Sequence, residues 1–230
     1  MPGDGEPDTH IELSISGQVG YWSFDEGSGT VALEANLGPS LGLVNGVTWV
    51  PGVVGTAVSA DGVDDYLQAG AIDLSGRPTV TVTLWVRRTY SMAENHVLLE
   101  VSPDFNTSTT GFGIYPDNLS PCIGVFVGMV GNVDYSTRCY GQPSSGVWHH
   151  FAIIYDKSTA DDTITTYIDG AVQTSSLDNL NDNTNAFGVQ PIFLFSRNGM
   201  EEFAQGVVDE LRIFNRGLTP AEVQAVFDER

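Results

Sequence analysis

Gly206-Val-Val-Asp-Glu-Leu-Arg-Ile-Phe-Asn-Arg-Gly-Leu-Thr-Pro-Ala-Glu-Val223, close to the C-terminus, is the stretch whose reading decides the fold. It opens as a β-strand, with Val207, Asp209, Leu211 and Ile213 expected on one face and Val208, Glu210, Arg212 and Phe214 on the other. Asn215-Arg216-Gly217 reads as a turn, and a short helix follows. Thr219 stands at the N-cap, Pro220 at the first helical position and Glu222 three residues after the cap. This pattern lets cap and acid satisfy each other's free N–H groups. An Asp within an otherwise apolar strand is the anomaly, because a buried carboxylate is costly unless paired, hydrogen-bonded or bound to a metal.

Outward from this segment, period-2 alternation recurs. Val80, Val82, Leu84 and Val86 are expected in a core, with Thr81, Thr83, Trp85 and Arg87 on the opposite face. Segments 96–101, 111–115, 123–129, 148–155, 164–168 and 192–195 read as further strands. Pro51-Gly52, Asp61-Gly62, Pro116-Asp117 and Asp169-Gly170 mark turns between strands, and the last is a hairpin signal. Only 219–228 has helical periodicity. These features predict an all-β chain, a two-sheet antiparallel β-sandwich with a short C-terminal helix. Residues 1–15 read as a polar arm or linker and 16–230 as one domain. The segments 103–110 and 175–190 read as long polar loops.

Composition narrows the function classes. The 230 residues carry 29 acidic against nine basic side chains, for a net charge of −20. No basic patch is available for nucleic acid or an anionic membrane. No apolar run approaches the ~20 residues that span a bilayer. The charge describes a soluble, self-repelling surface; adaptation to salt and a gathering of carboxylates around Ca²⁺ are the competing readings. Cys122 and Cys139 match no zinc or redox spacing. In an extracellular β-rich chain they would form one disulfide, worth about 3 kcal/mol; two buried free thiols are the alternative. Asn106-Thr-Ser108 and Asn118-Leu-Ser120 fit glycosylation acceptors.

Several motifs fall in a familiar order: Gly20-Tyr-Trp-Ser-Phe-Asp-Glu-Gly-Ser-Gly29, Ala60-Asp-Gly-Val-Asp-Asp-Tyr66, Val80-Thr-Val-Thr-Leu-Trp-Val86, Val147-Trp-His-His-Phe-Ala-Ile-Ile-Tyr-Asp156 and Thr166-Tyr-Ile-Asp-Gly170. With the closing segment they cover roughly residues 19–229 and resemble laminin G-like domains of the concanavalin A-like lectin/glucanase superfamily. The resemblance implies a jelly roll whose first and last strands are neighbours. It also implies a structural Ca²⁺ near those strands, with Asp25 and Asp209 as first-choice ligands and Asp61 and the Gly62 carbonyl as weaker ones. The competing reading has Asp25 capping a turn and Asp209 accepting from neighbouring backbone N–H groups. Asp178, Asn181, Asp182 and Asn183 also have calcium-like spacing, but a solvated loop explains them.

Catalysis finds little support. Glycosidases need two carboxylates at a set separation, whereas Asp25-Glu26, Glu201-Glu202 and Asp209-Glu210 are adjacent and expected on opposite faces. His149-His150 lies within a strand and reads as structural. Sugar recognition uses aromatic rings beside polar groups. Tyr90, Phe105, Tyr135, Tyr140 and Phe203 are candidate rings, with Asn106, Asp134, Arg138, Arg197 and Asn198 as polar partners. Residues 131–141, a loop tied by Cys139, make the preferred site through Asp134, Tyr135, Arg138 and Tyr140. The expectation is a non-catalytic, secreted or cell-surface recognition module for a polysaccharide or cell-surface glycan, within a larger protein. A protein-binding adhesion module is the alternative, and a diverged polysaccharide hydrolase or lyase the third reading.

Overall fold

The computed structural model describes residues 15–36, 38–89, 96–103, 111–118, 124–131, 134–158, 162–180 and 186–230. Two antiparallel sheets face each other. The first contains β1 (Gln18–Trp22), β4 (Thr48–Pro51), β5 (Thr56–Asp61), β7 (Thr79–Arg88), β12 (His149–Asp156), β13 (Thr163–Ile168), β14 (Ala171–Val172) and β17 (Gln205–Phe214). Its order is β14-β13-β12-β7-β17-β5-β4, with β1 also paired to β17. The second sheet contains β2 (Val31–Ala32), β3 (Leu41–Val44), β6 (Tyr66–Asp73), β8 (Leu99–Val101), β9 (Gly111–Asn118), β10 (Gly124–Gly131), β11 (Asp134–Tyr140), β15 (Leu177–Asn179) and β16 (Val189–Leu194). Its order is β15-β11-β10-β9-β8-β16-β6-β3-β2. Helix α1 (Pro220–Asp228) lies on the outer face of the first sheet.

The strands from the two ends of the chain are neighbours, with Gly20 opposite Ile213 and Trp22 opposite Leu211. Val80, Val82, Leu84 and Val86 enter the core between the sheets, as their alternation predicts, and meet Phe112, Ile114, Val127 and Leu194 there. A second cluster on the outside of the first sheet joins Phe214, Leu218, Val223 and Val226 to Ile15. The helix start is the capping box expected from sequence, with Thr219 and Glu222 bonded reciprocally and Pro220 in the first turn.

Three expectations need correction. The strict alternation of β17 is broken by a bulge: its register against β7 shifts between Asp209 and Arg212, and Glu210 sits at φ 52. One extra residue there moves the core face from Val208 to Leu211 and Ile213. Segment 131–141 is largely strand, since β11 pairs with β10 along its length and with β15 on its other edge. Part of the expected 175–190 loop is β15 itself. Strands β2 to β5 carry weak sequence signals because they are short or half exposed, whereas β6 alternates over 66–70 and is legible.

Candidate functional site

The acids singled out on the closing strands are committed to backbone. Asp209 is fully buried, and its carboxylate accepts from the N–H groups of Val53 (2.8 Å), Val54 (3.1 Å) and Glu210 (3.0 Å). Burial pushes it up to about 8, while the three N–H donors pull the other way. Asp25 accepts from Thr56 N–H at 2.9 Å, and the Thr56 hydroxyl donates to the Phe24 carbonyl at 2.6 Å. Both carboxylates brace the turn between β4 and β5. Every described bond of this pair is to the backbone or to the β4–β5 turn, which is the arrangement of the turn-brace reading.

The bulge has a second effect. Tyr21 lies opposite Arg212, and the guanidinium stands 4.4 Å from the centre of the tyrosine ring. Glu210 accepts from the Tyr21 hydroxyl at 3.0 Å and from Arg212 at 2.9 Å, and Arg212 also pairs with Glu229 just beyond the helix. Val208 faces the core, so Asp209 faces outward, and Glu210 shares that side with Tyr21 and Arg212. The adjacent acids therefore share a face, contrary to the simple strand expectation. Burial raises Glu210, and the Arg212 charge opposes that rise.

Asp61, Asp64 and Asp65 form another acidic group, with ligand atoms all within 4.8 Å of one another. Asp65 is buried and accepts from the N–H groups of Gly46 (2.5 Å) and Asp61 (3.1 Å); Asp61 accepts from Val63 N–H at 2.8 Å. Asp61 and Asp64 are exposed.

The preferred recognition residues divide on inspection. Tyr140 is 1% exposed, lies in the core and directs its hydroxyl toward the Ile164 carbonyl at 3.4 Å. It offers no ring to a ligand, because its strand position places it between the sheets. Arg138 donates to the Ile164 carbonyl at 2.7 Å and stands 3.5 Å from Asp178. Asp134 and Tyr135 begin β11, opposite Gly131 and Val130, but their side chains lie outside the described structure. Cys139 is buried and no described cysteine is free, while Cys122 lies outside the described residues. Tyr90, Phe105, Asn106, Asn181, Asp182 and Asn183 also lie outside them.

A different constellation stands on the outer face of the nine-stranded sheet. Leu67, Leu99 and Leu194 point into the core, so Tyr66, Gln68, Glu100 and Phe193 point away from it. Across this face Glu100 lies opposite Phe193, Phe193 opposite Gln68, and Gln68 opposite Gly42. The segment 195–204 closes on itself through Ala204 N–H to the Phe195 carbonyl at 2.8 Å and folds over this face. Asn198 N–H donates to Glu100 at 2.7 Å, and the rings of Tyr66 and Phe203 lie 6.3 Å apart. Arg197 reaches Glu202 at 3.5 Å and Glu201 at 3.8 Å.

The backbone here is unusual. Phe195, Asn198 and Glu202 have φ values of 66, 50 and 53. A left-handed conformation suits asparagine but is costly for Glu202, and especially for a bulky aromatic such as Phe195. Gly199 also has positive φ, and a Cβ there would meet the Tyr66 ring at 2.8 Å. Tyr66, Arg197, Asn198, Glu202 and Phe203 are half-buried, and Met200 is exposed. Burial raises Glu202, with Arg197 opposing, and its Oε2 has no partner among the described residues. Sequence reasoning had picked Phe203, Arg197 and Asn198 as scattered candidates; the fold gathers them. It missed Tyr66, Glu100 and Glu202. Tyr66 could have been found from the exposed side of the 66–73 alternation.

A family model described as the concanavalin A-like lectin/glucanases superfamily, laminin G type, matches residues 61–224. No curated protein matches the sequence. Among solved structures, domain 4 of AbnA, a GH43 extracellular arabinanase from Geobacillus stearothermophilus in complex with arabinotriose, superposes with a TM-score of 0.70 at 16% identity, covering 92% of this chain and 98% of that one. The binding domain of Paraclostridial Mosquitocidal Protein 1 gives a TM-score of 0.69 at 17% identity over 92% of this chain, which spans about half (52%) of that structure. A botulinum neurotoxin type C structure, described as depending on two ganglioside molecules for cell entry, gives 0.68 at 10% identity, covering 92% of this chain and 51% of that one. At these identities the likeness carries the fold alone.

Proposed function

We propose that this chain, which belongs to the laminin G-like family of the concanavalin A-like lectin/glucanases superfamily, is an extracellular recognition module that binds a glycan at a non-catalytic site. The observation that carries the reading is the half-buried Tyr66–Phe203 pair beside Arg197, Asn198 and Glu202 on a segment where Phe195 and Glu202 are strained. Aromatic faces cover the apolar side of a sugar ring, and the amide, guanidinium and carboxylate bond its hydroxyls. A segment already held in an uncommon conformation loses little freedom when ligand arrives. The structural neighbours add plausibility, since one holds arabinotriose and another is described with gangliosides.

Binding is favoured over glycoside hydrolysis because Glu100 is 1% exposed and already accepts from the Ser102 hydroxyl (2.5 Å) and Asn198 N–H. Enclosed in this way, Glu100 is poorly placed to reach a glycosidic bond at this face. The test is a glycan array probed with the chain, followed by titration of the best ligand. Phe203→Ala and Tyr66→Ala are expected to weaken binding at least tenfold; unchanged binding in both variants rejects this site.

Structural calcium belongs to the proposal through Asp61, Asp64 and Asp65, supported by their mutual 4.8 Å spacing. Chelation is expected to lower the melting temperature, and an unchanged melt in EDTA removes the metal. A protein partner is the second reading. It is favoured by Met200, 77% exposed at the tip of the same segment, and a pull on protein ligands with no glycan bound would select it.

A further inference from the structure

A second polar site stands at the edge of the eight-stranded sheet, built from different elements. Gly141, Gln142, Pro143, His149, Ile168, Asp169 and Gln173 line an open groove of about 370 Å³. His149, at the start of β12, places Nδ1 2.7 Å from Asp169 Oδ2 and Nε2 3.2 Å from the Ser144 hydroxyl. A carboxylate only accepts, so Nδ1 carries the hydrogen toward Asp169, and in that tautomer Nε2 is the acceptor facing Ser144.

Each member is fixed by its neighbours. Asp169 opens the β13–β14 hairpin at φ 52; its N–H donates to the His150 carbonyl and its Oδ1 accepts from His150 N–H, both at 2.9 Å. On either side of Ser144 the backbone is tied to buried Arg88. The Arg88 guanidinium donates to the Pro143 carbonyl, while Ser145 Oγ (3.2 Å) and Gly146 N–H (2.7 Å) donate to the Arg88 carbonyl. Gln142, which lines the same groove, has a buried side-chain N–H₂ group with no partner among the described residues. A nucleophile bonded to a base, and a base bonded to an orienting carboxylate, are the central parts of an acyl-transfer site.

The geometry points to a serine-dependent ester-hydrolysing activity at Ser144, His149 and Asp169, acting on small carboxylic esters that carry no negative charge. Ser144 Oγ attacks the ester carbonyl carbon as its proton passes to His149 Nε2. The carbonyl–alkoxy bond then breaks, and the alcohol leaves with the proton from His149. Water attacks the acyl-Ser144 ester, giving its proton to His149; the acid departs and the serine hydroxyl regains its hydrogen. Ester and water become acid and alcohol, and Asp169 remains ionised throughout. The substrate carries no negative charge because no Lys or Arg lines the groove, Asp169 does, and the molecule carries −20 overall.

This activity is independent of the glycan reading, because the two sites lie on different sheets. The test uses the whole chain with p-nitrophenyl acetate as substrate and a fluorophosphonate as the covalent probe. Expected results are turnover that falls at least tenfold in Ser144→Ala and in Asp169→Asn, and a single adduct that mass spectrometry places on Ser144. Ser144 is exposed and Asn tolerates the left-handed turn, so both variants should melt as the parent does, which separates lost chemistry from lost fold. Turnover unchanged in Ser144→Ala, no turnover in the parent, or an adduct on another residue would overturn the assignment.

Discussion

The closing strand of the eight-stranded sheet and the 195–204 segment over the nine-stranded sheet use the same kinds of side chain to opposite ends. In β17, Asp209, Glu210 and Arg212 are each 5% exposed or less, and they tie the strand to the β4–β5 turn, to Tyr21 and to Glu229. In the 195–204 segment, Arg197, Asn198 and Glu202 stay partly open beside two aromatic rings. The first region uses its polar groups to hold elements together. The second holds a strained backbone that leaves polar groups facing solvent. Charge in a sandwich of this kind therefore reports function only where the fold has not already consumed it.

The largest expected effect that would break this contrast is in β17. Arg212→Ala leaves Glu210 and Glu229 buried without their partner, and stability should fall by about 3–5 kcal/mol, read by denaturant unfolding. Glycan binding by the folded fraction should be unchanged. Phe203→Ala should do the reverse: a loss of at least tenfold in affinity, about 1.4 kcal/mol, with only a small shift in melting. If Arg212→Ala instead spared stability, or Phe203→Ala unfolded the chain, the division between scaffold and surface would be wrong.

Titration sharpens the same comparison. Asp209 is raised to about 8 by burial, so the folded state holds a proton that the unfolded chain releases near the ordinary carboxylate value. Its contribution is present in acid and is lost as the pH climbs from about 4 to 8. Stability measured across that window should fall more steeply in the parent than in Asp209→Asn; equal slopes would mean that the three N–H donors keep the group ionised. The smallest effect is at the helix, where Thr219→Ala removes one half of the capping box and should cost about 1 kcal/mol, without touching either site.

What the residues disclosed, and what they withheld, follows from the range over which each signal acts. The capping box, the Asp169-Gly170 hairpin and the core face of β7 are local patterns, and they stand in the fold as expected. The β17 bulge is not local: it is visible only when β17 is laid against β7, so the face assignment slipped there. Tyr140 looked available because its surroundings are polar, yet pairing with β10 and β15 turned 134–140 into a strand and drew the ring inside. Tyr66 and Phe203 are 137 positions apart, and no spacing rule brings them together. The Ser144–His149–Asp169 chain was hidden for a related reason. His149 and His150 read as neighbours on a strand, whereas the partner of His149 comes from the turn beyond β13.

The extra residue in β17 has one more consequence. Without Glu210 the pleat would run in perfect phase, with Val208, Leu211 and Ile213 inward and Asp209, Arg212 and Phe214 outward. Glu210 is thus a guest in the weave, and it serves as the tongue of a buckle through which the first strand, the last strand and the end of the final helix are fastened. A chain one residue shorter at this point would keep every apolar side chain in place and come undone at the clasp.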